Sequence, residues 1–237
     1  MKPDFRTRSY EKEWMDDFEA SGPVLEQTLR ELRTINRLLG GNTVTTSGLR
    51  YWLRRRPSGK IRVLDLGCGG GDMLRVMWNW ARAQKVLDRF EFSGVDANAA
   101  TVAAAQKNLV DLPEVRVFQK NVFAPDFLAE GTDVATCTLF THHLNDAEFV
   151  TLLRVLREKV QLGVIINDLH RHPLAFYSIR LLTRLFSKSP MVQNDAPLSV
   201  RRAFRAAELR ALCQEAGFEK VEIRWFWAFR WQVLCIK

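Results

Sequence analysis

A glycine-rich stretch, RVLDLGCGGGDM at residues 62–73, limits what this chain can fold into more than any other part of the sequence. It comes directly after an apolar run and directly before a long segment with helical patterning. Gly67, Gly69 and Gly71 allow the backbone to turn sharply and to approach a ligand closely. The N-terminus of the following helix adds free N–H groups and a partial positive charge. We therefore predict a ligand-binding turn between a strand and a helix, at the edge where α/β sheets bind ligands.

The chain from residue 60 onward predicts an α/β fold. Short β-branched runs alternate with helix-length segments, and near-continuous apolar strands separated by amphipathic helices are typical of a parallel sheet covered on both faces. The final stretch, residues 221–236, indicates two strands without a helix between them, which makes an antiparallel hairpin at one edge. The five runs that precede it are residues 61–66, 90–95, 115–119, 133–139 and 162–167.

Two helical segments are predicted to accompany this domain, which spans residues 60–237. Residues 1–59 lack strand signals and are predicted to form a helical N-terminal cap, because apolar residues recur there every three or four positions. Residues 170–200 are predicted as an inserted cap helix and loop, since the insertion is longer than a plain connection. Its broad apolar face leaves two alternatives open: a helix packed in the core, or a helix that meets a membrane surface.

Composition and charge argue against several classes of protein. The chain has 237 residues, 47% of them hydrophobic, and no apolar stretch approaches the ~18 residues of a membrane span, so we expect a soluble, cytoplasmic protein. Its four cysteines form no CxxC pair, and no set of His and Cys residues indicates a metal site. The net charge of +8 is mostly spread along the chain, so nucleic-acid binding is not favoured. These features do not determine the oligomeric state.

An acid beside the glycines distinguishes between two classes of ligand. The dinucleotide fingerprint G-x-G-x-x-G fails, because its sixth position is Asp72 when counted from Gly67 and Leu74 when counted from Gly69. Asp65 instead begins a D-x-G-x-G-x-G pattern, and a carboxylate there would repel a pyrophosphate but attract an ammonium group. S-adenosylmethionine carries an ammonium and a sulfonium but no phosphate. The pattern therefore favours S-adenosylmethionine and disfavours a dehydrogenase.

A second acid, Asp96, ends the next predicted strand in the segment FSGVDAN. An acid at the tip of that strand can accept hydrogen bonds from both hydroxyls of a ribose. An alternative is that Asp96 caps the alanine-rich helix predicted over residues 97–108. One residue can do both, and ribose binding is the favoured interpretation because of the glycine turn beside it.

From residue 61 to about residue 236, the chain resembles the class I S-adenosylmethionine-dependent methyltransferases. Three segments carry the resemblance: VLDLGCGGGDM, GVDAN and DVATCTLFTHHL. The resemblance implies a Rossmann-like, mostly parallel sheet of seven strands whose last strand is antiparallel, which agrees with the hairpin predicted at the C-terminus. It also implies that S-adenosylmethionine is the cofactor.

The same resemblance implies a set of cofactor-binding positions. Asp65, Gly67 and Gly69 would line the methionine end, and Asp96 would bind the ribose. Asn121 stands where an acid near the adenine amino group is usual, and its side-chain carbonyl can accept the same hydrogen bond. The full expected set is Asp65, Gly67, Gly69, Gly71, Asp96, Ala97, Asn121, Val122, Thr138 and Leu139.

Candidate catalytic residues follow the fourth and fifth predicted strands, in FTHHLND and VIINDLHRHP. These two segments hold all four histidines of the chain, and both are predicted at the rim of the sheet where the cofactor would bind. Methyl transfer requires mainly alignment and exclusion of water, and it requires a base only if the acceptor arrives protonated. The candidates are His143, His142, Asp168 and His170; the alternative is that the histidines simply pack over the cofactor.

The predicted activity is methyl transfer to a small, partly apolar acceptor, at oxygen or at carbon. A narrower resemblance to bacterial small-molecule methyltransferases, of the quinone-biosynthesis and type III polyketide-associated kinds, implies a quinone precursor or an aromatic polyketide. The charge leaves open a nucleic-acid methyltransferase, although no RNA-binding module is recognisable. A cofactor-binding scaffold without catalysis is the remaining alternative.

Overall fold

The computed structural model describes residues 3–124, 127 and 131–237, and its centre is a sheet of seven strands. The strand order is β3-β2-β1-β4-β5-β7-β6. The first five strands run parallel, and β7 is antiparallel to both of its neighbours, β5 and β6. The strands are β1 (Ile61–Leu66), β2 (Phe90–Asp96), β3 (Arg116–Gln119), β4 (Val134–Thr138), β5 (Gly163–Leu169), β6 (Lys220–Phe226) and β7 (Arg230–Ile236). The predicted fold class and the C-terminal hairpin are confirmed.

Helices cover both faces of the sheet. In the described part of the chain they are α1 (Gly22–Leu38), α2 (Gly41–Arg55), α3 (Asp72–Ala83), α4 (Ala99–Asn108), α5 (Asp146–Lys159), α6 (Pro173–Phe186), α7 (Pro190–Arg202) and α8 (Ala206–Glu215). Apolar residues of α2, α3 and α4 form one core layer, and those of α5 and α8 form the other. None of the helices in these described ranges is both long and apolar enough to cross a membrane.

The β1 strand shows why the sheet is buried on both sides. Ile61 and Val63 belong to the core layer under α2, α3 and α4, whereas Leu64 and Leu66 belong to the layer under α5 and α8. A strand buried on both faces has to be apolar at nearly every position. Arg62 is exposed, so Asp65 is the one buried polar residue of this strand, and it lies in register with Gly94 of β2 and Thr136 of β4.

The segment after β2 shows which residue caps the α4 helix. The α4 helix is capped by Asn98, whose side-chain oxygen accepts a hydrogen bond from the Thr101 backbone N–H at 2.8 Å. The alternative that Asp96 caps this helix is therefore wrong. Asp96 stays in the last position of β2, and its side chain is left for another role.

The inserted region contains a second helix where a loop was predicted. Ser189 caps α7 by accepting a hydrogen bond from the Val192 N–H, and Pro190 occupies the first helical position, where its missing N–H costs nothing. The α7 helix packs against α1 and α6, so the N-terminal and inserted segments lie together over the rim of the sheet.

Candidate active site

The glycine turn between β1 and α3 opens into a cavity of about 700 Å³ at the C-terminal ends of β1, β2 and β4. Gly69 lines this cavity with a φ of +54°, and a Cβ placed on it would meet no protein atom within 4 Å. The space in front of Gly69 is thus open to a ligand. Gly67 has a φ of +61°, and a Cβ there would lie 2.4 Å from the Phe140 ring, so this turn requires glycine at both positions.

Gly71 has a different role from the one that the resemblance implied. It precedes the first residue of α3 with a φ of +77°, and a Cβ on it would lie 2.7 Å from Leu109. It does not line the cavity. A glycine is required at this position because the chain has a positive φ where α3 begins and because it packs closely against Leu109 at the end of α4.

Two carboxylates stand at one end of the cavity. Asp65 is fully buried, and its Oδ1 accepts a hydrogen bond of 2.6 Å from Thr136. Burial, together with the nearby charge of Asp96, raises the pKa of Asp65 to about 7 against the opposing hydrogen bond from Thr136. A bound cation beside Asp65 would favour its ionised form, so this end of the cavity suits an ammonium group.

Asp96 is held by the backbone of the glycine turn. Its two side-chain oxygens accept hydrogen bonds from the N–H groups of Gly69 and Asn98, both at 3.0 Å. Burial raises the pKa of Asp96, and these two hydrogen bonds oppose that effect. Because each oxygen retains a second lone pair, the carboxylate is still able to accept hydrogen bonds from a diol in the cavity.

The remaining expected cofactor positions line the same cavity. They come from three separate loops, and they are Ala97, Asn121, Val122, Thr138 and Leu139. The Asn121 oxygen accepts a hydrogen bond of 2.9 Å from the Phe123 N–H, which fixes the side chain at the mouth of the turn. Leu139 adopts a left-handed conformation, with a φ of +51°, that leads the chain from β4 into the histidine segment.

His142 and His143 follow in a short 3₁₀ turn, and each is held by a carboxylate. His142 Nδ1 lies 2.6 Å from Asp168 Oδ1, and His143 Nδ1 lies 2.6 Å from Asp16 Oδ1. Since an ionised carboxylate only accepts hydrogen bonds, Nδ1 carries the proton in both rings. Each ring therefore leaves Nε2 as the atom that can accept a proton.

The pKa values of the two supporting acids favour this assignment. Burial works against their ionised forms, but the hydrogen bonds from His143 and Arg202 hold the pKa of Asp16 well below its usual range. The interaction with His142 and the hydrogen bonds that Asp168 accepts from His142 and Thr141 do the same for this buried carboxylate. Both carboxylates are therefore ionised at neutral pH.

A third acid, Glu13, faces both histidines. His142 Nε2 lies 3.7 Å from one Glu13 oxygen, and His143 Nε2 lies 4.0 Å from the other. Burial raises the pKa of Glu13 to about 7, against the charges of His143 and Arg202. One candidate donor atom from each of Glu13, His142 and His143 lies within 4.8 Å of the others, a spacing that a metal ion could bridge. Arg202 already supplies a positive charge 3.7 Å from Glu13 Oε1.

Glu13 and Asp16 are functional candidates that sequence reasoning missed. They lie in the segment EKEWMDD, whose charges resemble an ordinary solvated surface. The one local signal is their spacing, since Asp16 ends the 3₁₀ turn Trp14–Asp16 and its Oδ2 accepts a hydrogen bond of 2.9 Å from the Glu13 backbone N–H. Arg202 holds this turn over the site, donating to Asp16 Oδ2 at 2.5 Å and to the His143 carbonyl at 2.6 Å.

The structure separates the other two predicted catalytic residues from the cavity surface. Asp168 is fully buried behind His142 and lines no part of the cavity. His170 lies away from the cavity, with its ring against Trp231 at a centroid distance of 4.6 Å. Burial and the neighbouring His172 lower the pKa of His170 to about 4. The four histidines thus form two separate pairs, of which one reaches the site.

A second cavity of about 420 Å³ adjoins the first. Both cavities are lined by Leu139, His142 and His143, so they meet at the histidine turn. The walls of the second are mainly apolar and come from α1, α6, α7 and the β6–β7 hairpin; they include Ile35, Leu39, Ile179, Leu182, Val192, Val200, Trp225, Trp227 and Phe229. A cavity of this size and character is typical of a small-molecule site.

Comparisons with known proteins agree on one family. Residues 43–223 match a family model described as a methyltransferase domain. The ubiquinone biosynthesis O-methyltransferase of Pseudomonas syringae pv. tomato is 27% identical over 180 residues, which cover 73% of this chain and 71% of that protein. The protein of the same description from Pseudomonas aeruginosa (strain UCBPP-PA14) matches with the same identity and the same coverage, 27% over 180 residues.

Solved structures share the fold at lower sequence identity. The plantazolicin methyltransferase BpumL, in complex with S-adenosylhomocysteine (SAH) and a triazolic desmethylPZN analogue, has a TM-score of 0.67 and 14% identity, with 89% of this chain and 90% of that chain covered. A SAM-dependent methyltransferase from Aquifex aeolicus has a TM-score of 0.61 and 16% identity, with 89% and 97% covered.

Proposed function

This chain belongs to the methyltransferase domain family and is an S-adenosylmethionine-dependent methyltransferase with a small-molecule acceptor, and we propose that this acceptor is a partly apolar molecule methylated on oxygen. The observation that supports the proposal is the meeting of two cavities at His142 and His143. One cavity is lined by the glycine turn and two acids, whereas the other is mainly apolar. A hydroxyl group at their junction would lie beside two imidazoles that can accept a proton.

The first cavity is proposed to hold the cofactor. When bound, S-adenosylmethionine supplies a methyl group activated by its sulfonium. Asp65 and the open space at Gly69 would receive the charged amino-acid end, and Asp96 would bind the ribose hydroxyls. Asn121 and Val122 would lie against the adenine. The apolar second cavity would hold the acceptor and keep water away from the junction.

His143 is the proposed general base. Its side chain is 22% exposed, compared with 3% for His142, so it is the more accessible of the two. Asp16 would keep the proton on Nδ1 and so leave Nε2 free to take the proton of the acceptor hydroxyl. Glu13, 4.0 Å from that nitrogen and with a raised pKa, would be the next group able to receive the proton. Asp168 would position His142 without touching the acceptor.

The N-terminal and inserted segments are proposed to form the cap over this site. The turn that carries Glu13 and Asp16 closes one side, and Leu32, Ile35 and Leu39 of the α1 region line the junction or the second cavity. The α6 helix contributes Ile179 and Leu182. The same helix leaves Leu174, Leu181, Leu185 and Phe186 exposed.

The proposal is tested with a panel of alkyl-substituted phenols, catechols and resorcinols, by mass spectrometry of the methylated products. For the acceptor that turns over best, we expect His143→Gln to lower kcat by ~10²–10⁴, which is the usual contribution of a general base. The Kd for SAH should not change. The loss should be smallest at high pH, where the acceptor ionises without help.

His170→Gln is the matched control, because this histidine lines neither cavity. It should leave kcat within a few-fold of the wild-type value. If His143→Gln behaves like this control, the assignment of His143 as the base is wrong, and a loss of kcat in His142→Gln alone would assign that role to His142. If no hydroxyl compound is methylated while SAH still binds, oxygen is not the acceptor atom.

A further inference from the structure

One buried cation in the second cavity, Arg230, forms no side-chain hydrogen bond or ion pair with any of the described residues. Arg230 begins β7 and lines this cavity, and it is only 2% exposed. Among the described residues, no acceptor takes a hydrogen bond from its Nε or its Nη1, and both atoms are fully buried. Burial lowers the pKa of Arg230 to about 10, so the guanidinium remains charged at neutral pH.

Arg171, another buried arginine, shows the partners that such a side chain normally has. Arg171 is 1% exposed, and its guanidinium donates two hydrogen bonds to the Glu208 carboxylate and others to the carbonyls of Phe5, Arg6 and Ala203. A buried charge is strongly unfavourable unless it is paired and hydrogen-bonded in this way. Arg230 is therefore held in a position that lacks the partners normally required there.

The groups around Arg230 do not neutralise it. Asp168 is the acid whose charge reaches it, but that carboxylate already accepts hydrogen bonds from Thr141, from Leu169 and from His142. A Cβ at Gly41 would lie 2.9 Å from Arg230 Cζ, so the guanidinium packs against the first residue of α2. A helix N-terminus carries a partial positive charge and repels a cation. Two buried oxygens near Gly41 accept no hydrogen bond from the described residues, Asn36 Oδ1 and Asn167 Oδ1, and both belong to neutral amides.

We propose that the acceptor carries an anionic oxygen group, best matched by a carboxylate, that pairs with Arg230 while its apolar body fills the second cavity. The inference rests on the proposed function, because it takes the second cavity as the acceptor site. A planar carboxylate fits the planar fork of a guanidinium and can take two parallel hydrogen bonds from it. The acceptor is then an amphipathic acid, whose charged end is held on β7 and whose apolar part faces α6 and the hairpin tryptophans.

The test compares two probes of equal size, decanoate and decanamide, in the presence of SAH. Binding is measured by calorimetry at low ionic strength and is checked by the fluorescence of Trp225 and Trp227, which line the cavity. We expect wild-type protein to bind decanoate at least 10-fold more tightly than decanamide. Arg230→Met should abolish this preference. Arg230→Lys keeps the charge but not the fork, so it should retain a smaller preference.

The matched control is Arg224→Met on the neighbouring strand β6. Arg224 is exposed, forms an ion pair with Glu222 and does not line the cavity, so the preference for decanoate should be unchanged. The affinity for SAH and the melting temperature show whether each variant is folded. If Arg230→Met does not fold, the test uses Arg230→Lys, whose side chain is similar in length, and the reduced preference for decanoate is measured in that variant.

Three results would overturn the inference: equal affinities of the two probes in wild-type protein, no binding of decanoate, or a preference that both Arg230 variants retain in full. Failure of the proposed function has a different signature. In that case decanoate binds with the expected dependence on Arg230, but no acidic or neutral acceptor yields a methylated product.

Discussion

Single carboxylates near the ends of β1 and β2, Asp65 and Asp96, are the residues that we propose make the first cavity selective. Asp65 and Asp96 both stand in positions that burial makes unfavourable for a negative charge. Among the described residues, no cationic side chain forms a hydrogen bond or an ion pair with either carboxylate. Such residues are retained at a cost to stability where a ligand uses them. Their placement favours a ligand with a cation and hydroxyl groups, and it disfavours a pyrophosphate.

Replacing Asp96 by asparagine tests its part in this selectivity. The variant keeps the size of the side chain but loses its charge and one accepting oxygen, so SAH should bind more weakly by about 1.5–3 kcal/mol, the range for hydrogen bonds to charged groups. Calorimetry measures this directly. Asp111→Asn is the control, since Asp111 is an exposed acid paired with Arg75. Unchanged SAH affinity in Asp96→Asn, or tight binding of NAD by the wild-type protein, would contradict the assignment.

The residues of the candidate site lie where helices and strands begin or end. The turn from β1 into α3 supplies Gly69, and the end of β4 supplies the left-handed Leu139 that leads into the histidine turn. The N-terminal 3₁₀ turn brings Glu13 and Asp16 to the same place, held there by Arg202 at the end of α7. Breaking one partner of such a buried ion pair is costly, so α7 and the N-terminal turn should move as a unit.

The glycine turn gives a prediction that separates strain from ligand contact. Gly69→Ala and Gly59→Ala both place a side chain at a positive φ, which costs each variant a similar ~1–2 kcal/mol of stability. Only the methyl group at position 69 points into the first cavity. We therefore expect Gly69→Ala to weaken SAH binding at least tenfold and Gly59→Ala to leave it unchanged. Equal SAH affinities in the two variants would show that the turn only serves packing between β1 and α3.

The pH dependence of the free energy of unfolding depends on the combined titration of the buried acids Glu13 and Asp65. Glu13 and Asp65 have pKa values of about 7 in the folded state, above those of the unfolded chain. The folded state therefore binds more protons, and the stability that these groups lend below pH ~4 is lost as the pH rises through 7. The lowered pKa of His170 acts in the opposite direction between about 4 and 6.5.

Asp65→Asn isolates one of these groups. The amide can still accept the hydrogen bond from Thr136, but it does not titrate. The unfolding free energy of wild-type protein minus that of the variant should fall by up to about 1.4 kcal/mol per pH unit between pH 5 and 7. Urea denaturation of ligand-free protein at several pH values measures it. A difference that is constant or rises with pH would mean that Asp65 is ionised in the free protein, whereas Asp111→Asn should give no slope in this range.

Short-range patterns were enough for the architecture and for the acids and glycines that line the first cavity, whereas Asn121, Val122, Thr138 and Leu139 were implied by the family resemblance. The alternation of apolar runs with amphipathic segments predicted every strand, because period and turn chemistry act over a few residues. The same is true of Asp65, Gly67, Gly69 and Asp96, since each stands at the end of a strand whose position the pattern reveals. Gly71 belongs to the same motif, but its glycine is required by packing against Leu109, a contact that spacing does not reveal.

The site around the histidines depends on contacts between distant parts of the chain. Asp16 bonds His143 across 127 positions, and Arg202 bonds Asp16 across 186. The sequence does not distinguish His142 from His170. In the structure, His142 lies at the junction of the two cavities, whereas His170 packs against Trp231. The sequence likewise does not distinguish Arg230 from the other arginines; only the structure shows that it is buried with no hydrogen-bond acceptor among the described residues. Packing decides these roles, because a side chain's neighbours, and therefore its charge state and access to a ligand, depend on how helices from both ends of the chain settle on the sheet.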